Sequence, residues 1–476
     1  ANAFERSSVK SMKIPKTVKK IKEATFKSSS LNAIEFENGS TLDGVDKEAF
    51  YGTSITSVTL PNGTVSIGES AFKNCNSMTT ANLSYVEKIG TEAFSGCANL
   101  KDIAWSTQLK EVGDNAFSGC KIAELTWGEK NSAWLADVTW GSNVFEKCTA
   151  LKKVDFSNWD THNVTSFQLM FDNCYALTEA YININTAGKT SGVKIDRMFH
   201  MNTSWKSQLS TVEINGDFSN VINGNNADSF QMFRHCCNLS SLKLNHVNMI
   251  ANAPSTNYRT AIDTTATSKA FGKCNGFGTM FQECQNIVNI PGIENWDTSN
   301  SKSFYQMFYM CKKLGESPDP EKPNPNTPDF SNWDTHSVNN PLNGDKNTSN
   351  TFNHMFCDCQ SLEEVNLTIN TSGKENINMY RMFYNNKALK SATINGDLSK
   401  VITVEDMFRE CNQATNISIT NYSMTSDTSS TNYTTSSKIN NAFESSKSFG
   451  GMFLNCSTLP YLDLSSFNTK NCAGST

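Results

Sequence analysis

Phe94-Ser-Gly-Cys97-Ala-Asn-Leu100-Lys-Asp-Ile103-Ala-Trp105 is the stretch on which the fold turns. A Phe is followed by Cys after three residues and Leu after three more, then by two apolar residues in alternation. The pattern returns as Phe145-Cys148-Leu151-Val154-Phe156, and its later half as Cys236-Leu239-Leu242-Leu244 and Cys456-Leu459-Leu462-Leu464. Alternation after the Leu has the period of a short half-buried strand. The stretch before each Phe reads as about one helical turn, with Thr165-Ser166 and Thr403 as N-caps for the segments ending in Phe171 and Phe408.

Working outward, units are anchored at Phe26, Phe50, Phe72, Phe94, Phe117, Phe145, Phe171, Phe199, Phe233, Phe281, Phe308, Phe356, Phe383, Phe408 and Phe453, 15 in all. The first six anchors are 24, 22, 22, 23 and 28 residues apart. One strand and one short helix or turn in each such unit describe an α/β repeat, a leucine-rich-repeat solenoid. No unit buries its apolar residues alone, so stacking must build ladders of Phe, Cys and Leu. Gly68, Gly90 and Gly113 suit turns that need positive φ. Ile14-Pro15, Val18, Ile21 and Phe26 form a degenerate N-terminal cap. At the other end, a Leu462-Leu464 strand and Phe467-Asn-Thr469 read as the start of a further, incomplete unit.

After the regular repeats of residues 1–155 the units change. Ala-Phe becomes Met-Phe, and Asn-Trp-Asp-Thr appears at 158–161, 295–298 and 332–335. A longer repeat is superimposed. Phe156-Ser-Asn-Trp-Asp-Thr-His162 recurs as Phe330-Ser-Asn-Trp-Asp-Thr-His336, Ile214-Asn-Gly-Asp217 as Ile394-Asn-Gly-Asp397, and Ser255-Thr-Asn-Tyr258 as Ser430-Thr-Asn-Tyr433. A block has been duplicated in tandem, as residues 156–328 and 329–476 of one continuous solenoid. Both copies should carry insertions at matching places, near 245–279 and 420–450. The Pro-rich stretch Ser317–Pro328, with five of the 11 prolines, should be an extended excursion without helix or strand.

Two stretches carry a resemblance. Leu60-Pro-Asn-Gly-Thr-Val-Ser-Ile-Gly-Glu-Ser-Ala-Phe72 resembles the repeat of BspA-like leucine-rich-repeat proteins. Ser157-Asn-Trp-Asp-Thr-His-Asn-Val-Thr-Ser through Met170-Phe171-Asp-Asn-Cys174 resembles the Trp-Asp-Thr/Met-Phe surface repeats of gut and mucosal bacteria. The resemblance implies an extracellular, cell-surface module of bacteria that adheres to a host or matrix protein or a glycan, acting as a monomer. It brings no ligand site with it. A structural spacer or stalk presenting another domain is the alternative: a binder should show clustered exposed aromatics, a spacer a uniformly polar surface.

Composition excludes other classes. With 41 basic and 46 acidic residues the net charge is −5, and no basic stripe points to nucleic acid. Lys13, Lys16, Lys19, Lys20 and Lys22 read as a solvated face. No apolar run is long enough for membrane insertion. Eleven of the 15 cysteines, at 75, 97, 120, 148, 174, 236, 284, 311, 359, 411 and 456, share one inward position. That marks them as reduced apolar fillers rather than disulfides; Cys237, Cys274, Cys357 and Cys472 fall outside the row. His354, Cys357 and Cys359, like His235, Cys236 and Cys237, lack the paired spacing of a metal site. No cofactor, metal or catalytic residue is expected, and the chain should not be an enzyme. Asp160 and Asp334 should cap the backbone N–H groups that follow them, with Trp packed alongside. The two insertions have the freedom to specialise, which makes Tyr258 and Tyr433 the candidate ligand-binding residues. The alternative is that these loops fold back and the tyrosines only pack.

Overall fold

The computed structural model describes residues 1–126, 138–224, 227, 229–319, 321–339, 350–431 and 437–472. The chain forms two compact units. One comprises Ala1–Leu209, Ile214–Gly216 and Met249–Ile262; the other comprises Ser210–Glu213, Asp217–Asn248 and Asp263–Thr476.

In the first unit each coil contributes the expected strand after its Leu. Ser57–Thr59, Thr80–Asn82 and Asp102–Ala104 form one parallel sheet, paired Val58 to Ala81 to Ile103. Glu124–Thr126, Lys153–Phe156 and Glu179–Asn185 continue the arrangement in parallel register. Each coil also has a second, two-residue strand. Lys20–Ile21, Gly44–Val45, Ser66–Ile67, Lys88–Ile89, Glu111–Val112 and Thr139–Trp140 stack as a six-stranded parallel ladder. Ile21, Val45, Ile67, Ile89, Val112 and Trp140 are their buried members. The second unit repeats the scheme with longer strands. Glu364–Asn370, Ser391–Asp397 and Asn416–Asn421 are parallel and in register, and Ile377–Asn378 pairs with Val401–Thr403.

The expected short helix before each Phe does not form; turns replace it. Around Phe50, the N–H groups of Glu48, Phe50 and Gly52 donate to the next coil, to Glu69 O, Ala71 O and Lys73 O at 2.9, 2.7 and 2.8 Å. The alternate N–H groups of Ala49, Tyr51 and Thr53 fold back three residues, to Asp46 O, Glu48 O and Phe50 O at 3.3, 3.1 and 3.2 Å. A helix would send every N–H back along its own chain. Here half of them knit neighbouring coils together, which requires left-handed residues two before and two after the Phe. Glu48 and Gly52, Ser70 and Asn74, Glu92 and Gly96, Asn115 and Gly119 all have positive φ. Each non-glycine residue so placed costs about 1 kcal/mol, offset by the inter-coil bonds and the buried ring between them. Ser166 and Thr403 do cap, but cap turns: their hydroxyls accept from Gln168 N and Glu405 N at 3.1 and 3.3 Å.

The rings stack as the repeat demands. In the first unit Phe26, Phe50, Phe72, Phe94, Phe117, Phe145, Phe171 and Phe199 are buried, with successive centroids 5.0–6.1 Å apart. Phe4 adds an outer rung 5.3 Å from Phe26. In the second unit Phe233, Phe281, Phe308, Phe356, Phe383 and Phe408 are buried in the same way, while Phe453 stacks 5.7 Å from Phe408 but stays half exposed. All 15 cysteines are free. The ladder thiols are more than apolar filler. Cys75, Cys97, Cys120, Cys148 and Cys174 donate to the carbonyl of the preceding Phe, at 3.0–3.4 Å. Cys284, Cys311, Cys359, Cys411 and Cys456 do the same at 3.0–3.2 Å. Each thiol thus satisfies a carbonyl that a pure hydrocarbon would leave with one partner fewer.

Two local expectations are corrected. Gly68, Gly90 and Gly113 do not have positive φ; they are glycines because neighbouring coils touch there. A Cβ on Gly90 would lie 2.7 Å from Gly68 C and 2.8 Å from Glu69 N. In these coils positive φ falls instead on glycines two residues after the Phe, Gly52, Gly96 and Gly119. At the other end, residues 462–464 form no strand and Leu464 is exposed, although Phe467 does bridge to Ala442. The Pro-rich stretch has neither helix nor strand among its described residues. It is pinned by the Asn324 and Asn326 side-chain amides, which donate to Gly315 O and Glu316 O at 2.5 and 2.8 Å.

Candidate binding surfaces

The two insertions are built alike and both are fastened down. In the first unit Met249 and Ile262 bridge antiparallel, and the loop between them carries the short 3-10 turn Ser255–Asn257. Ser255 is fully buried; its N–H donates to Asp160 Oδ1 at 2.8 Å and its Oγ accepts from Thr161 N at 2.7 Å. The Asn185 amide donates to Ile250 O and Ala253 O at 3.1 and 2.8 Å. In the second unit Tyr422 bridges to Lys438, and the same clasp recurs. Ser430 N donates to Asp334 Oδ1 at 3.0 Å, Thr335 N to Ser430 Oγ at 2.7 Å, and the Asn370 amide to Thr425 O and Thr428 O at 2.9 and 2.6 Å.

Asp160 and Asp334 have the expected capping role, each accepting from the N–H two residues on, His162 and His336, at 3.0 Å. Beside them Trp159 and Trp333 are fully buried. The aspartates do a second job that one copy of the sequence does not reveal, since each also holds a loop residue about 95 positions later. Burial works to raise the Asp334 carboxyl, but the N–H groups of His336 and Ser430 outweigh it and hold the carboxyl below the usual range.

Of the sequence candidates, Tyr258 ends the 3-10 turn, half buried, with the Arg259 guanidinium 5.4 Å over its ring and Arg259 Nε donating to its hydroxyl at 2.8 Å. Tyr433 lies outside the described residues. The described parts of the insertions fold back on the coils, fastened through Ser255 and Ser430.

A second surface was not legible beforehand. In the second unit, side chains flanking four successive anchors stand outward and touch in sequence. The Tyr309 ring meets His354 edge-on at 6.0 Å, and His354 meets Tyr380 at 5.3 Å. Arg381 lies 4.8 and 5.0 Å over Tyr380 and Tyr384, and Arg409 lies 6.0 Å over Tyr384. Asp406 takes both guanidinium groups, from Arg381 at 3.0 Å and Arg409 at 3.4 Å. All but Asp406 are half exposed. Burial, then Arg381, pushes the His354 imidazole down to about 4, so it stays neutral near neutral pH. Burial likewise raises the Tyr309 and Tyr380 hydroxyls. The row offers aromatic edges, phenols and paired guanidinium groups already immobilised by one another.

Ser255, Asp160 and His162 lie together, but the Ser255 hydroxyl is fully buried and committed to Trp159 O and Thr161 N at 3.2 and 2.7 Å, which rules it out as a nucleophile in this arrangement. Among the described residues no group of three His, Cys, Asp or Glu is arranged to hold a metal ion, and no helix is long and apolar enough to cross a membrane. Burial pushes the Cys148 thiol up to about 12.

Residues 1–123 and 83–191 match the family of the BspA type leucine rich repeat region, in six copies. The BspA-type repeat is thus matched over residues 1–191. Residues 228–323, 249–343, 275–422 and 328–449 match a second family, described as a Mycoplasma protein of unknown function, DUF285. Each of the two units is a leucine-rich-repeat β-solenoid, with about 15 turns between them. Among solved structures, the leucine-rich-repeat protein of T. pallidum is 20% identical, over 40% of this chain and 69% of its own, with a TM-score of 0.25. A leucine rich cell surface protein of Faecalibacterium prausnitzii is 12% identical, over 88% and 81%, with a TM-score of 0.31. The pneumococcal vaccine antigen PcpA is 17% identical, over 86% and 73%, with a TM-score of 0.33. No curated protein matches the chain significantly.

Proposed function

We propose that this solenoid is a non-catalytic binding module of a bacterial surface protein, working outside the cell on a host or matrix protein or a glycan. The observation that carries the reading is the Tyr309–His354–Tyr380–Arg381–Tyr384–Arg409 row. Tyr and Arg dominate binding hot spots because they bring large contact area and directional bonds. Side chains already fixed by their neighbours lose little entropy on binding. A spacer has no need of such a row. Tyr258 and Tyr433 belong to the same proposal as a further place of contact, Tyr258 on a loop that its clasp holds down.

The test is a screen of the purified chain against arrayed glycans and host and matrix proteins, with the Tyr380→Ala, Tyr384→Ala double variant alongside. The expected result is a ligand whose affinity falls at least about tenfold in the variant, a hot-spot loss of over 1 kcal/mol, with the melting temperature kept. A chain that binds nothing, or a variant that binds unchanged, would favour the spacer.

A further inference from the structure

Another surface is built wholly within the first unit. Ten residues separate Phe199 from Leu209, where six separate Phe383 from Leu389 at the corresponding place of the second copy. The extra residues make the 3-10 turn Ser204–Lys206, which lifts Trp205 out of the coil. Trp205 is 76% exposed, the highest value for any large hydrophobic side chain among the described residues.

The turn is held from both sides. Asn202 N donates to Asn173 Oδ1 at 2.8 Å, and Gln208 N donates to Tyr175 O at 3.2 Å. The Tyr175 hydroxyl donates to the same Asn173 Oδ1 at 2.8 Å. Lys206 Nζ lies 4.9 Å from the centre of the Trp205 ring and 5.4 Å from that of Tyr175. The other cations nearby are neutralised: Lys147 pairs with Glu146 at 2.6 Å and Arg197 with Asp172 at 3.6 Å. Lys206 has rings for partners and no carboxylate within 4.0 Å among the described residues.

We propose that Trp205, Lys206 and Tyr175 form a subsite for a pyranose that bears a carboxylate. A sugar ring stacks its C–H face on the open indole, where the apolar face is otherwise left to water. Its carboxylate pairs with the Lys206 ammonium, whose partners within the subsite are rings. Its hydroxyls meet the amide-rich rim of Asn202 and Gln208, both exposed. An acidic peptide would match the charge, but the turn offers it no strand edge to pair with. The subsite rests on the reading of the chain as a binding module, not on the tyrosine–arginine row.

The test is isothermal titration of the whole chain with oligosaccharides ending in glucuronate, galacturonate or N-acetylneuraminate, each beside its carboxyl-reduced counterpart. At least one acidic sugar should bind, at least tenfold more tightly than its reduced form, and more weakly as salt rises. Trp205→Ala should abolish binding of both forms. Lys206→Met should make the two forms equal, and the Tyr380→Ala, Tyr384→Ala variant should leave the titration unchanged. Trp205 is too exposed for its loss to threaten folding. No binding of any acidic sugar, equal binding of the reduced forms, or an undiminished Trp205→Ala variant would overturn the proposal. So would a Glu-rich peptide that competes more tightly than every sugar, which would reassign the site to acidic peptides.

Discussion

Ser255→Ala tests the clasp most sharply, because a second copy serves as its control. The change removes the hydroxyl that accepts from Thr161 N at 2.7 Å and donates to Trp159 O at 3.2 Å. Thr161 is itself buried, 2% exposed, so its N–H is left without an acceptor and out of reach of water. Stranding a buried donor costs about 1–3 kcal/mol. The Ser255 N–H bond to Asp160 and the Asn185 bonds to the loop remain, so the coils should stay folded and the cost should appear as local opening. At about 1.4 kcal/mol per tenfold, amide exchange within 249–262 should quicken roughly five- to hundredfold. Ile250 and Ala261 are the amides to follow, since their N–H groups are bonded to Ala261 O and Asn257 O at 3.1 and 2.8 Å. Ser430→Ala should do the same at Ser423 and Ile439, whose N–H groups reach Ser437 O and Asn421 O at 2.8 and 3.1 Å. The two effects share no partner and should add in the double variant. Unchanged exchange in the loop, or acceleration spread equally along the Phe ladder, would refute the clasp.

The depressed Asp334 carboxyl makes the second clasp acid-sensitive. A group whose folded pKa lies below its unfolded value of about 3.9 contributes stability above that pH and loses it as pH falls through the folded value. Protection of the 422–439 loop, corrected for intrinsic exchange, should therefore drop below about pH 4, and Asp334→Asn should abolish that step. Gly90→Ala should lower stability by about 1–3 kcal/mol through overpacking, because its Cβ would sit 2.7 Å from the backbone of the adjacent coil; an unchanged thermal melt would contradict the close approach.

The ladder could be read from sequence because Phe, Cys and Leu recur at fixed offsets, and burial enforces such offsets in every coil. The turns before each Phe mimic a helix in sequence because their i to i+3 bonds give nearly the spacing of a helical face. The discriminating signal was the glycine or asparagine two residues after the anchor, as at Gly52, Asn74, Gly96 and Gly119, which a helix interior would disfavour. The second strand of a coil is two or three residues long, too short to show any periodicity. Phe4 was overlooked although Ala3-Phe4 repeats the Ala49-Phe50 dipeptide. Ser255 and Ser430 stood in a repeated motif, yet nothing local ties them to aspartates about 95 residues earlier. The tyrosine–arginine row arises only once coils of unequal length are stacked, which brings Tyr309, His354, Tyr380 and Arg409 into one line.

Within each unit, coils stack on a row of rings and thiols, and ten of the ladder thiols donate to the anchor Phe carbonyl of the coil before. Mass spectrometry after alkylation without reductant tests this directly. Denatured protein should take up 15 labels, one per cysteine. Folded protein should react early only at Cys237, Cys456 and Cys472, the three that are not fully buried. Labels that appear in the denatured chain only after reduction, or rapid labelling of Cys97 or Cys311 in the folded chain, would contradict the account.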